Sequence, residues 1–207
     1  DWDSPASTWV SGPKMSSWIY KKQVGSDAHL MAWMEVRLWG GNEVEILPWV
    51  ENGFIRVASP TNKSATYSFA INGSTLESVV IDLKHHQRTP IINSSALTYW
   101  VGSAVDVTPH HDLTYLQSTE MVPSYSGAQS VSAANVVALA STFAPLSACN
   151  IIYDSDAMSS PGYQAPIGSL PLYDMLYLVS ASNDRIYKAI IRNGYAAGRY
   201  GIHYRNE

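Results

Sequence analysis

Two histidine pairs and one C-terminal triplet hold most of the groups that could do chemistry in this sequence. His85 and His86 lie in "DLKHHQRTP", with Lys84, Gln87 and Arg88 around them. His110 and His111 lie in "VTPHHDLTYL", next to Asp112. His203, Tyr204 and Arg205 follow one another in "GIHYRNE". An imidazole can accept a proton, a phenol can donate one, and a guanidinium can neutralise a carboxylate. A β-eliminating polysaccharide lyase needs those three functions: a base removes the proton next to a carboxylate, and a cation stabilises the developing enolate. The cationic stretch around Arg88 also suits an anionic ligand such as a uronate, because Arg grips carboxylates with two hydrogen bonds. On this chemistry the candidate catalytic residues are His111, His203, Tyr204 and Arg205. The candidate substrate-binding residues are His86, Arg88, Tyr115 and Trp100.

Spacing sets limits on that reading. Neighbouring residues on a regular strand point to opposite faces, so neither histidine pair can send both rings into one site. The plain alternative for His110–His111 is one ring buried and hydrogen-bonded while the other faces solvent. For His85–His86 it is a solvated loop. Three consecutive residues such as 203–205 also diverge in space, so the triplet makes a site only with help from elsewhere. No H-x-H or HExxH spacing offers convergent zinc ligands, and no metal or other cofactor is expected. No G-x-S-x-G, phosphate-binding loop or dinucleotide fingerprint occurs. The single cysteine, Cys149, excludes an internal disulfide and a multi-cysteine zinc site; it reads as a small buried apolar residue.

Composition narrows the class. Of 207 residues, 46% are hydrophobic and 14% charged, which is enough apolar material for a real core and sparse charge for a fully solvated surface. Net charge is −4, with Lys and Arg scattered, so clustered phosphate neutralisation and hence nucleic-acid binding are not expected. No stretch approaches the roughly 18 apolar residues of a membrane span. The chain opens "DWDSPASTWVSGP", without an initiating Met or a basic leader, and reads as processed, trimmed or excised. Seven Trp and thirteen Tyr against three Phe favour sugar stacking or protein contacts, since both rings combine an apolar face with a polar handle.

The elements that must position these groups are mostly strands. "MSSWIYKK" reads as a strand after an irregular start over 1–13. "HLMAWMEVRL" alternates, with Leu30, Ala32, Met34, Val36 and Leu38 on one face. His29, Met31, Trp33, Glu35 and Arg37 share the other face, which is half apolar and so not fully solvated. "WGGN" predicts a tight turn and "EVEILPWVEN" a returning strand, with Pro48 marking an edge or a bulge. Asn72–Gly73 between two alternating runs predicts a type I′ hairpin. "ALTYWVG" and "VDVTPHHDLTYL" read as further strands or strand ends. The expected fold is mainly β, an antiparallel sandwich over 1–122. Residues 123–170 read as a linker with a short helix near 131–142, capped by Ser130 or Ser132, and a long loop over 146–169. Residues 171–207 read as a helical segment, with helices near 171–181 and 183–197, the second capped by Asn183 or Asp184.

The order of "AHLMAWMEVRLWGG", "VEILPWVENG", "SATYSFAING", "HHQRTP", "HHDLTYL", "VPSY" and "GIHYRNE" resembles a family of large virion-associated proteins of tailed bacteriophages and prophages. That resemblance, over most of residues 9–207, implies a polysaccharide-lyase-like or mutarotase-like sandwich followed by an α/α-toroid. It implies a place in the virion, in tail or baseplate. The partners would be other virion chains or the remainder of a longer chain, and bacterial surface glycan. The "HYR" segment would lead into the toroid, so the chain would be the front part of such a protein. Three functions are therefore carried forward: a virion structural or adhesion component, a glycan-degrading lyase, and a carbohydrate-binding module unconnected with phage.

Overall fold

The structure, a computed structural model, describes residues 1–56, 61–92, 96–120, 122, 132–142, 172–180 and 184–206. It is mainly β and antiparallel. The strands are β1 (Ser7–Ser11), β2 (Met15–Gln23), β3 (Leu30–Trp39), β4 (Val44–Asn52), β5 (Lys63–Ile71), β6 (Ser74–Leu83), β7 (Gln87–Pro90) and β8 (Tyr99–Val101). The helices are α1 (Leu113–Ser118), α2 (Ala133–Thr142), α3 (Leu172–Val179) and α4 (Asp184–Ala197). Two compact units divide the chain: 1–106 together with 195–207, and 107–194. The "HYR" triplet thus belongs with the strands, not with the helices that precede it.

In the first unit, five strands run in the order β1-β2-β3-β4-β7, and β8 pairs with β4 beside β7. The alternation of β3 sets the two faces. Trp33 pairs with Lys21 on one side and Trp49 on the other, while Met31 pairs with Glu51, and Glu51 with Arg88. Paired residues in an antiparallel ladder share a face. One face therefore carries Lys21, Trp33, Trp49, Glu51 and Arg88. The opposite face carries Val50, which packs with Tyr67, Ile81, Leu83 and Ile91 into the buried core, with Leu30, Phe69 and Val79 against it. The β5–β6 hairpin supplies most of that cluster and forms the second layer of a sandwich-like arrangement. Its turn is Asn72–Gly73, both at positive φ (51° and 80°), as the type I′ expectation requires.

Pro48 was expected at an edge or a bulge, yet β4 is central. The physical reason lies in its partners. β8 pairs with Val44–Ile46 and β7 with Trp49–Asn52, so Pro48 falls where β4 changes neighbours. Its carbonyl accepts from the Ile91 amide at 2.9 Å on that side. An N–H is not needed in the gap, so the ring is tolerated. The start of the chain was expected to be irregular, but β1 pairs with β2 there, with a register shift between Thr8 and Val10.

"VDVTPHHDLTYL" contains no strand. Residues 103–112 are irregular, and Leu113–Ser118 is the helix α1. The Asp112 carboxylate accepts from the Tyr115 amide at 3.0 Å and caps the helix, which the period-2 reading overlooked. In the second unit Val136, Tyr177 and Ile186 form the core, with Leu176, Tyr187 and Ile190 around it. The three expected later helices correspond to α2, α3 and α4. α4 begins at Asp184, whose carboxylate pairs with Lys188 one turn on at 2.8 Å. Cys149, Ser130, Asn183 and the loop 146–169 lie outside the described residues.

Candidate functional site

The polar face of the sheet is organised around one carboxylate. Glu51 is 2% exposed. It accepts from Arg88 Nε at 3.0 Å and from Arg88 Nη2, and on its other oxygen from Arg205 Nε at 3.2 Å. Two guanidiniums share this one buried carboxylate. Arg205 is held further by the carbonyls of Ala28, at 2.8 Å, and His29, at 3.2 Å. Arg88 lies over two indoles, 4.8 Å from the Trp33 ring and 5.7 Å from the Trp49 ring. Such stacking of a cation on an aromatic face is favourable, most of all for Trp. The Lys21 ammonium approaches the same Trp33 ring at 5.8 Å.

Backbone pairing brings the C-terminal triplet here. Phe54 and Arg205 form a parallel bridge. The Arg205 amide donates to Gly53 O at 2.7 Å, and the Ile55 amide to Arg205 O at 2.8 Å. The His203 amide donates to His86 O at 3.0 Å, and His86 Nδ1 meets His203 O at 3.1 Å. Gly53 is needed at this approach: a Cβ there would lie 2.7 Å from Glu51 Oε1 and 2.9 Å from His203 O. His86 adopts positive φ (66°), which turns the pair out of strand geometry. The objection from strand alternation therefore does not hold for His85–His86, whose ring centroids are 3.6 Å apart. The His86 ring in turn lies 4.2 Å from Tyr204.

These residues enclose a cleft of about 290 Å³, lined by Lys21, Trp33, Glu51, Arg88 and the segment Ile202–Arg205. Trp33 also borders a second cleft of about 290 Å³ that includes Trp2, Trp49 and Phe69. Trp33 Nε1 and His203 Nε2 are both fully buried, with the Gly198 backbone as hydrogen-bond neighbour of the His203 ring. Burial, with Arg88 beside it, holds the His203 imidazole below its usual range; Glu51 and the nearby Gly198 backbone pull the other way. His203 is thus neutral near pH 7 and offers one N–H and one lone pair.

Of the sequence candidates, His86, Arg88, His203, Tyr204 and Arg205 come together. His111 and Tyr115 belong to the second unit, where the His111 ring meets Tyr177 edge-on at 5.8 Å and Tyr115 is exposed on α1. Trp100 lies on β8 opposite Glu45, beside Trp39 at 6.5 Å. Glu45 and Glu51 are six positions apart on β4, roughly 20 Å along the strand, so Trp100 lies well away from the cleft. Sequence reading missed Glu51, Trp33, Lys21 and Gly53. The signal available for the first two was the odd-numbered face of β3, too apolar to be solvated and continued by Trp49 and Glu51.

A second charged group lies further along the same face. Arg37 binds Glu35 at 2.7 Å and Glu45 at 3.2 Å, and Trp39 Nε1 donates to Glu45 at 3.2 Å. Burial pulls the Arg37 guanidinium down, but the two carboxylates more than offset it and keep it firmly protonated. Among the described residues, no three His, Cys, Asp or Glu side chains are grouped to hold a metal ion, and no helix is long and apolar enough to cross a membrane. Comparison with protein-family models, curated proteins and solved structures gave no match.

Proposed function

We propose that the chain is a structural or adhesion component of a bacteriophage virion, in tail or baseplate, that contacts other virion chains and bacterial surface glycan through the Trp33–Arg88 cleft. One observation carries the glycan part: the Trp33 indole, the Arg88 and Arg205 guanidiniums and the Lys21 ammonium line a single cleft. Sugars stack their C–H faces on indole, and a uronate carboxylate pairs with Arg or Lys. The virion part rests on the likeness of the sequence segments to the phage family. The test is titration of intrinsic Trp fluorescence with acidic and neutral polysaccharides, alongside co-purification with virion chains. The proposal expects saturable binding of an acidic glycan that is lost in Trp33→Ala. No response to any polysaccharide would overturn the glycan part, and a chain that never associates with virion proteins would overturn the rest.

Lyase activity is the second reading, favoured by a neutral His203 in one cleft with Tyr204, Arg205 and Arg88. Two facts rank it lower. Nε2 of His203 is buried, and both guanidiniums are already engaged by Glu51. Release of unsaturated uronate, followed by its ultraviolet absorbance, would reverse that ranking.

A further inference from the structure

The residues that anchor the C-terminal segment are unusually rich in imidazole. His29, His85, His86 and His203 all lie where residues 202–206 dock against the end of β4 and the turn before β7. The His29 and His85 rings are 6.1 Å apart, the His85 and His86 rings 3.6 Å, and the tilted His86 and Tyr204 rings 4.2 Å. We propose that this histidine stack is a pH-sensitive latch: near-neutral pH holds segment 202–206 on the sheet, and mild acid releases it. The inference concerns the segment's attachment and does not depend on what the cleft binds.

The close approach of the rings explains why protons would be disruptive. His85 Nε2 meets Phe54 O at 3.2 Å, and His86 Nδ1 meets His203 O at 3.1 Å. A carbonyl accepts only from N–H, so each neutral ring already commits its one proton to the backbone. A second proton on each ring would place two like charges in stacked rings. The carboxylates described nearby are already engaged by other cations. Arg88 of β7 and Arg205 of the segment share Glu51 of β4. Lys84, before the turn, is paired with Asp82 of β6. Asp27, before β3, is paired with Lys63 of β5 at 2.7 Å. Lys21 of β2 lines the cleft as well.

The surroundings of His85 and His203 act in the same direction. Burial lowers His85, with His86 and His29 adding to it against the Phe54 carbonyl; burial and Arg88 lower His203. A histidine depressed in the docked state stabilises docking above its ordinary pKa, and that stabilisation is lost as pH falls below it.

Hydrogen exchange of the full chain, read at single amides and corrected for intrinsic rate, tests the latch between about pH 8 and about pH 5. The reporters are the amides of Ile55, His203 and Arg205, which bond across the docking seam. Their protection is expected to fall on acidification by up to about tenfold per pH unit for each imidazole that gains a proton. Amides of the β2–β3 ladder should keep theirs. His85→Gln with His86→Asn should flatten the dependence; Asn tolerates the positive φ at position 86. If that pair does not fold, His85→Gln alone should flatten it in part. Unchanged seam protection across the range would overturn the latch. So would a loss shared equally by β2–β3, or a pH dependence the variants leave intact.

Discussion

Glu51 and Arg205 are 154 positions apart in sequence and joined by a 3.2 Å hydrogen bond, with 3% and 9% of their side chains exposed. That pair ties the end of the chain to the central strand of the sheet. Arg88 completes the group from β7. Three segments with no common local pattern therefore share one buried charge, and the cleft exists because they do.

Removing that charge should be severe. Glu51→Gln leaves two guanidiniums facing a neutral amide, one of them nearly buried. Breaking a buried ion pair by deleting one partner typically costs about 3–5 kcal/mol. Because the Arg88 side chain is 31% exposed, the lower end applies, about 3 kcal/mol. Urea denaturation followed by Trp fluorescence should show the midpoint fall accordingly. A loss under about 1 kcal/mol would mean the group is solvated and the network unimportant.

Stability should also depend on pH in two separate windows. His85 and His203 are both held below the ordinary histidine value of 6.5. Below that pH the unfolded chain binds more protons than the folded one, so stability rises with pH there and levels off above about 6.5. Asp27 is lowered chiefly by its hydrogen bond with Lys63. Its contribution is present above the ordinary carboxylate value and lost as pH falls through the folded one. Urea midpoints at several pH values should therefore show a first decline in mild acid and a second in strong acid. His203→Gln should weaken the first alone, and Asp27→Asn the second alone.

The parts of the fold with local periodicity were legible in the sequence. The Asn72–Gly73 turn requires positive φ at two successive residues, and the dipeptide announces it. The β3 alternation predicted both faces, including a second one that water does not fully reach. The site was legible only in part. "HHQR" and "HYR" were flagged by residue type, and the structure joins them. Glu51 carried no such mark, because a carboxylate in a strand looks the same whether solvated or buried. His111 and Tyr115, flagged by the same chemical reasoning, belong to the second unit, and Trp100 lies opposite Glu45, well along β4 from the cleft. Asp112 as a helix cap was read instead as part of a strand end, since "DLTYL" fits both periods over so short a run. Which segments meet across long separations is set by pairing and packing, which leave little trace in any one segment.

Binding should separate the flagged residues that meet from those that do not. Trp33→Ala and Arg88→Ala each remove a wall of the cleft, and an acidic glycan should bind about ten- to a hundredfold more weakly, equivalent to roughly 1.4–2.8 kcal/mol. His111→Ala and Tyr115→Phe, in the second unit, should leave affinity unchanged. Calorimetric titration of the four variants decides it. Equal losses in His111→Ala would place the binding surface outside the cleft.

Gly53→Ala isolates the docking of the C-terminal segment from its charges. A methyl group at this position would meet Glu51 Oε1 at 2.7 Å and the His203 carbonyl at 2.9 Å. Contacts that short force a shift, and the carbonyl belongs to a segment held by only a few backbone bonds. The segment should move outward, and the bonds of Arg205 N–H to Gly53 O and of His203 N–H to His86 O should weaken together. Overpacking of this kind costs about 1–3 kcal/mol. The readouts are faster exchange at the Arg205 and His203 amides and weaker glycan binding, with the β2–β3 ladder unaffected. Wild-type exchange at those two amides would show that the segment docks without needing the close approach at Gly53, and that its charges alone hold it in place.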